Sequence, residues 1–590
     1  MTCRGITKKQ GSFDFKDAII CGLLLALTSL IFLNEALWLA LYPHDYGQLG
    51  MSAQLVLEGK RPHVDFREPY SGLLNYINAL GFSLLGRTLS TLHRAFVPWV
   101  LGFVLAYYLL ARLFFGYLGA ALLTSLGVFL GPLQYTTPMP SWYGLVLTTF
   151  QLLFLALHQN RASALYPFFA GICGGISIAI KISAIFPVLM IGGWLLALSA
   201  RSGTTSAAVK LYFGLLLLLV ALPLAHLGID SHWISHGAPF LFACCGLISL
   251  GRSLSYPMMQ QRDFFVYCGG VCIGFMPLLC VYSLSELPLF FHAVFFLPSL
   301  RFSFASTLPP YIHGVCSIIG VLWVFNRTRG VRALPASDAA LCLLPFLAQS
   351  LWFSRSPAFA LFYVPLVLSL SSLNRVSEFL AEKKGGGSVT FVYLLIGVAC
   401  ASCMIQVPFF STIYLFYSFP LVLLAFAAFV KKYLPPHLFF WGAGVATLLL
   451  LTIDANSQFS AAALWRNNES RVLRAGAGDV RFLVRDADAL DEILSRLHEE
   501  PGGLYAGPDS PELYFLSDKP SPLSAFYEFF EPFDPYPQLS KMIRAGTIKT
   551  VILNRAQEFS APIPSWFRAE IQGALPYRGT FGRFELFGGM

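Results

Sequence analysis

Between two long apolar runs, the stretch 42–76 (YPHDYGQLGMSAQLVLEGKRPHVDFREPYSGLLNY) gathers His44, Asp45, Glu58, His63, Asp65, Arg67 and Glu68. The next several hundred residues hold no comparable density of ionisable groups. A charged side chain near hydrocarbon is costly unless paired or wetted, so such a cluster marks a site at a membrane face. Two chemistries are within its reach. A carboxylate at the interface, such as Asp45, is partly desolvated and so becomes a stronger proton acceptor, the property a general base needs. A guanidinium among carboxylates, as in Asp65, Arg67 and Glu68, can hold an anion with several donors while an acid orients it. Each has a plainer alternative: Asp45 as a helix cap just beyond a span, Arg67 and Glu68 as a surface ion pair.

The elements that must position these groups are membrane helices. The chain has 590 residues, of which 56% are hydrophobic and only 12% charged, with mean hydropathy +0.64. Soluble domains carry about 25% charged residues, so the composition decides for a polytopic membrane protein. The net charge of +9 is no nucleic-acid signature, because much of it sits in short loops between apolar runs. Runs near 18–42, 95–115, 117–133, 142–157, 164–180, 183–200, 211–228, 235–250, 264–284, 309–325, 338–353, 357–373, 389–405, 409–430 and 435–453 predict about 13–15 spans. With the N-terminus in the cytoplasm, the inner segments hold 18 Lys and Arg and the outer loops eight. That bias follows the positive-inside rule and puts the first loop and the C-terminal region outside. The first run lacks a small-residue cleavage site before His44 and reads as an uncleaved span.

Within the first outer loop, 43–94, residues 46–58 predict a partly amphipathic interfacial helix that Gly59–Pro62 ends. Residues 72–86 are apolar but too short to span and predict a second one. The transmembrane domain occupies 1–454, and 455–590 turn mixed and charged. Strand-like Gly503–Tyr505 and Thr550–Leu553, a helical pattern over 487–498 and intervening Pro-rich stretches predict a small extracytoplasmic α/β domain. The fold class is thus an all-α polytopic membrane domain with a C-terminal α/β domain. The cysteines lie mostly in apolar runs, where a thiol packs as a small hydrophobe, Cys400 and Cys403 included.

An acid just off the first span, a short helix, a small hairpin-like stretch and an acid/base pair beside Pro69 resemble the first external loop of C-type membrane glycosyltransferases. The protein O-mannosyltransferases and lipid A aminoarabinose transferases are the relatives in question. The resemblance is strong at 42–76 and diffuse beyond, to about residue 370. It implies an inverting transfer of a sugar from a polyprenyl-phosphate carrier to an extracytoplasmic acceptor, with Asp45 as general base. Arg67-Glu68-Pro69 matches the family in type and place, with the charge order inverted. Lys181, interrupting GICGGISIAIKISAIFPVL, resembles the family's phosphate contact, and snorkelling to the interface explains it equally well. Arg355 and Tyr363 in FSRSPAFALFYVPLVL, and Arg301 in LPSLRFSF, fit a cationic cradle for the departing phosphate or plain headgroup contacts.

Metal-dependent relatives carry a further acid on a later outer loop, which here reads QYTTPMPSWYG. His44, His63 and Asp65 fit no strong metal motif, so a divalent metal is possible but not supported, and no cofactor is expected to be required. Glu35, inside the first apolar run, has no assigned role. The implied setting is the bacterial inner membrane, with the bilayer, the lipid-linked donor and an unidentified acceptor as partners and no nucleic acid. Two rivals stand: a surface-glycan polymerase or ligase using a lipid-linked donor, and a lipid or sugar transporter. A transporter should show repeated halves and helices broken at mid-membrane, whereas here the charges crowd one face.

Overall fold

The computed structural model describes residues 14–34, 43–199, 261–296, 386–406, 412–433, 470–473, 481–499, 502–528, 531, 533–556 and 560–588. The spans expected near 211–228, 235–250, 309–325, 338–353, 357–373 and 435–453 lie outside these residues, as do Glu35, Arg301, Arg355 and Tyr363. Among the described residues four helices are long and apolar enough to cross a membrane. They are α1 (Phe15–Leu33), α4 (Leu89–Arg112), α6 (Pro140–Arg161) and α9 (Gln261–Leu279). Shorter apolar helices complete the bundle: α5 (Tyr117–Phe129), α7 (Leu165–Ile180), α8 (Ile185–Ser199), α11 (Gly386–Cys403) and α12 (Thr412–Tyr433), with α10 (Leu287–Phe296) after α9. The first helix ends at Leu33 with Asn34 extended (ψ 107°), and the rest of the expected run, 35–42, lies outside the described residues.

The first loop folds as expected, into α2 (Pro43–Leu57) and α3 (Leu73–Leu85). Gly59 takes φ 81° and Gly86 φ 92°, left-handed values that close both helices.

Polar contacts collect at the two ends of the bundle. At one end, the buried Asp17 at the start of α1 accepts from Arg112 Nε at 2.5 Å, Arg112 Nη2 at 2.9 Å and Tyr108 Oη at 2.6 Å. His158 and Asp263 meet there too, at 3.2 Å. Nearly all the candidate chemistry lies at the other end. Helices α7 and α9 run parallel toward that end, held by glycines at four-residue spacing on each. A methyl group at Gly171 would fall 2.1 Å from Tyr267 O, and one at Gly175 would fall 2.1 Å from Val271 O. Gly270 and Gly274 close the seam from the partner helix. Small residues at this spacing let membrane helices approach backbone to backbone, where van der Waals contact drives association. The seam fixes the height of Lys181, the residue that caps α7.

The C-terminal region pairs β1 (Ser470–Val472) with β2 (Arg481–Leu483) and builds a four-stranded sheet from β3 (Gly503–Gly507), β4 (Ile548–Asn554), β5 (Tyr577–Phe581) and β6 (Phe584–Gly588). The strand order is β3-β4-β6-β5, parallel only between β3 and β4. Helices α13 (Val484–Glu499), α14 (Pro511–Ser517), α15 (Tyr536–Arg544) and α16 (Ser565–Ala574) accompany it. A core of Tyr505, Leu539, Ile543, Val551, Phe567 and Phe587 joins the sheet to α15 and α16.

This unit sits directly on the first loop. A methyl at Gly50 would fall 2.8 Å from the Phe515 ring, and Phe515 stacks on Phe82 at 5.8 Å. Arg87 pairs with Asp518, and Arg67 bridges to Ala525.

Inside the domain, Glu528 is buried, accepting from Tyr505 Oη at 3.0 Å and from the Asp509 amide at 2.9 Å. Burial, with the Asp509 carboxylate beside it, pushes its carboxyl from 4.5 up to about 8. The fold therefore favours the neutral acid. This contribution to stability is complete below about pH 4.5 and is lost as pH rises toward about 8, by at most about 1.4 kcal/mol per pH unit. Glu528→Gln should flatten that decline in thermal unfolding scanned over pH. An unchanged slope would assign the decline to other groups.

Candidate active site

Asp45 stands in the first turn of α2, one-sixth exposed. Its Oδ2 accepts from Tyr135 Oη at 2.5 Å, and its Oδ1 lies 3.6 Å from His44 Nε2. Tyr135 belongs to the loop between α5 and α6. Its carbonyl accepts from Trp142 Nε1 at 2.9 Å, and the Trp142 ring meets Tyr417 edge-on at 4.5 Å. Burial, with the charge of Asp45 nearby, lifts the phenols of Tyr135 and Tyr527 well above their ordinary range. These phenols therefore stay protonated and can donate.

Lys181 approaches the same group from α7. Its Nζ donates to Ser141 Oγ at 2.8 Å and lies 5.7 Å from the ring centres of both Tyr70 and Tyr414, at cation–π range. Tyr414 meets Tyr417 edge-on at 5.9 Å. Tyrosines thus join the acid to the cation. Beside Lys181 opens a small cleft of about 40 Å³. Lys181, Ser141, Ser183 and Thr148 give it polar walls, and Leu145, Pro187, Ile405 and Leu421 give it apolar ones.

The other candidates of the first loop carry structural contacts. Glu68 is buried, and its two oxygens accept from Ser52 Oγ (2.7 Å), Asn75 Nδ2 (2.8 Å), the Tyr70 amide (3.2 Å) and Gln48 Nε2 (3.3 Å). One carboxylate so pins α2, α3 and the chain between them. Asp65 closes a surface turn by accepting from the Arg61 amide at 2.7 Å, and Arg61 reaches Glu286 at 2.8 Å. Arg67 donates from Nε to Ser524 Oγ at 3.2 Å and lies 3.9 Å from Glu531, tying the loop to the C-terminal domain. His63 is buried against Phe290 at 5.6 Å, and burial takes its imidazole down to about 4, so it is neutral at physiological pH. Among the described residues no group of three or more His, Cys, Asp or Glu side chains could hold one metal ion.

Tyr70, Tyr135, Tyr414, Tyr417 and Tyr527 went unnoticed in the sequence. The signal for Tyr135 and Trp142 was the aromatic-rich loop QYTTPMPSWYG, which draws attention only for its missing acid.

Fold and site together define an integral membrane protein whose acid, cation and tyrosines meet at one end of a helical bundle. No family model matches the chain, and no curated protein matches it. Among solved structures it is similar to the crystal structure of ArnT from Cupriavidus metallidurans bound to undecaprenyl phosphate. The two share 13% identity over 97% of this chain and 98% of that one, with a TM-score of 0.43. The chemistry assigned below rests on this chain's own residues.

Proposed function

We propose that this chain is a membrane glycosyltransferase that moves a sugar from a polyprenyl-phosphate carrier to an acceptor at the outer membrane face, with inversion. The observation that carries the reading is the pairing of an acid with a cation across one tyrosine cluster, beside a cleft with both polar and apolar walls. An isoprenoid phosphate has that same division. Its phosphate suits Lys181 and Ser141, and its chain suits Leu145, Pro187, Ile405 and Leu421.

In this mechanism Asp45 takes the acceptor's hydroxyl proton as the oxygen attacks the anomeric carbon. The bond to phosphate breaks on the opposite face, and its electron pair leaves with the phosphate. Charge develops there, so a cation and hydroxyl donors at that place lower the barrier. Tyr135 holds Asp45 in orientation by its 2.5 Å hydrogen bond. Glu68 and Arg67 act as positioning residues for α2 and the C-terminal domain, while Arg301, Arg355 and Tyr363 remain candidates for the phosphate cradle. The reading needs no cofactor. It places the N-terminus in the cytoplasm and the C-terminal domain outside, in a bacterial inner membrane.

The experiment is to reconstitute the protein with a radiolabelled polyprenyl-phosphate sugar pool and cell-envelope acceptors and to follow label into the acceptors. Transfer of single sugars supports the proposal. Transfer of long chains would make it a polymerase or ligase, and movement of lipid-linked sugar between leaflets without transfer would make it a transporter.

A further inference from the structure

The C-terminal domain carries a second cleft, of about 140 Å³, that the reaction proposed above does not use. Ser524, Glu531, Phe533, Asp534 and Gln538 are among the residues that line it. Phe533 keeps 82% of its surface exposed, although a phenyl ring gains free energy by leaving water. Around that ring stand two carboxylates, a hydroxyl and a primary amide, which together can accept and donate hydrogen bonds. Glu531 is held in place: it accepts from the Ala525 amide at 2.7 Å and from Ser524 Oγ at 3.0 Å, and lies 3.9 Å from Arg67 Nε. Asp534 accepts from the Tyr536 amide at 3.1 Å and so already supplies the anion that the start of α15 favours. Gln538 follows on the first turn of α15, exposed. Among the described residues no Lys or Arg lines the cleft. It therefore suits a ligand with an apolar face and many hydroxyls, and disfavours one bearing phosphate or carboxylate.

Its place ties it to the candidate active site. Arg67, which donates to Ser524 Oγ at 3.2 Å, comes three residues before Tyr70, whose ring centre lies 5.7 Å from Lys181 Nζ. Three residues of chain span at most about 11 Å. The domain is also seated firmly on α2. A methyl at Gly47, two residues after Asp45, would fall 2.2 Å from the Glu512 amide nitrogen, so the start of α14 rests there backbone to backbone.

We infer that this cleft is a saccharide subsite that seats one non-acidic sugar ring of the acceptor. The C–H face of the ring lies on Phe533, its hydroxyls donate to Glu531 and Asp534, and the Gln538 amide donates to a ring or hydroxyl oxygen. The small volume fits one ring rather than a chain, being well below the roughly several hundred Å³ of a drug-sized pocket. Its role toward the acceptor rests on the transferase reading above; its capacity to bind a sugar does not.

The test uses the full chain in lipid nanodiscs and saturation-transfer difference NMR. The probes are cellobiose, maltose and N,N′-diacetylchitobiose, with digalacturonic acid as the acidic control. At least one uncharged disaccharide should bind and digalacturonic acid should not. Phe533→Ala and Gln538→Ala should each weaken that binding about tenfold, and since both side chains are exposed the fold should be kept. In the transfer assay Phe533→Ala should raise KM for the acceptor about tenfold and leave kcat and affinity for undecaprenyl phosphate within about twofold. No binding by any uncharged probe, binding that survives Phe533→Ala unchanged, or equal binding of digalacturonic acid overturns the inference; a Phe533 that only touches the bilayer gives the first of these results. In a wild type that transfers sugar, an acceptor KM indifferent to Phe533 overturns the acceptor role alone. Disaccharide binding lost in Phe533→Ala, in a wild type that transfers nothing, keeps the saccharide site and brings down the transferase reading.

Discussion

Asp45→Asn should leave the protein folded and lower sugar transfer by about 10²–10⁴-fold, roughly 3–5 kcal/mol of barrier. The amide nearly preserves the volume of the carboxylate, and its oxygen can still accept from Tyr135 Oη, so the first turn of α2 keeps its contact with the α5–α6 loop. What the amide lacks is a basic oxygen for the acceptor's proton. Donor affinity should change little, because the proposed phosphate contacts are Lys181 and Ser141, which touch each other and not Asp45. The measurement is single-turnover transfer with bound undecaprenyl-phosphate sugar, alongside a thermal unfolding curve for each protein. Transfer equal to wild type would remove Asp45 from the chemistry. Transfer lost together with the unfolding transition would make it a helix cap instead.

The parts of this site that were legible in the sequence are those whose signal is charge against an apolar background. Asp45 and Lys181 stand out because they interrupt or flank hydrophobic runs, and the structure brings both to one tyrosine cluster. Helix α2 was legible from its partial periodicity and the Gly59–Pro62 stop, and α3 as an apolar run too short to span. The tyrosines were hidden for a physical reason. In a membrane protein a tyrosine within an apolar run counts as hydrophobic, and only the fold shows where its hydroxyl points.

Arg67 and Glu68 show a second blind spot. Adjacent residues in extended chain face opposite ways. Here Glu68 turns inward to Ser52 and Asn75, while Arg67 turns outward to Ser524 and Glu531. Sequence adjacency suggested one functional pair where the backbone makes two separate anchors. In the C-terminal domain, β3 and β4 announced themselves as apolar runs. β5 and β6 carry Arg578 and Glu585 and read as mixed sequence, and Glu585 finds Arg568 at 2.6 Å only once the sheet has formed. The docking of α14 on α2 left no trace beyond the bare residue at 47, because a glycine's meaning depends on what approaches it.

Lys181→Met should lower kcat/KM for the lipid-linked donor by about 10²–10³-fold while leaving the bundle assembled. Lys181 ends α7 through its backbone, its amide donating to Ser177 O at 2.9 Å, and that bond does not depend on the side chain. The glycine seam with α9 fixes the helix independently. Methionine has nearly the reach of lysine and keeps contact with the Tyr70 and Tyr414 rings, so packing around the cleft should survive. The charge and the donor do not survive. A hydrogen bond to a charged group contributes about 1.5–3 kcal/mol, so affinity for undecaprenyl phosphate itself should weaken by about 10–100-fold. The rest of the loss should appear in kcat, because the phosphate gains charge as it departs and Lys181 then matters most. Lys181→Arg should recover much of the binding and less of the rate, since a longer, planar guanidinium places its charge differently from the ammonium that rests on Ser141 Oγ. The alternative reading, a lysine that only snorkels to headgroups, makes the opposite forecast. There Met would leave both the undecaprenyl phosphate titration and the transfer rate within about twofold of wild type. Measuring both quantities on the same nanodisc preparation separates the two, and an unchanged affinity would move the phosphate away from this cleft altogether.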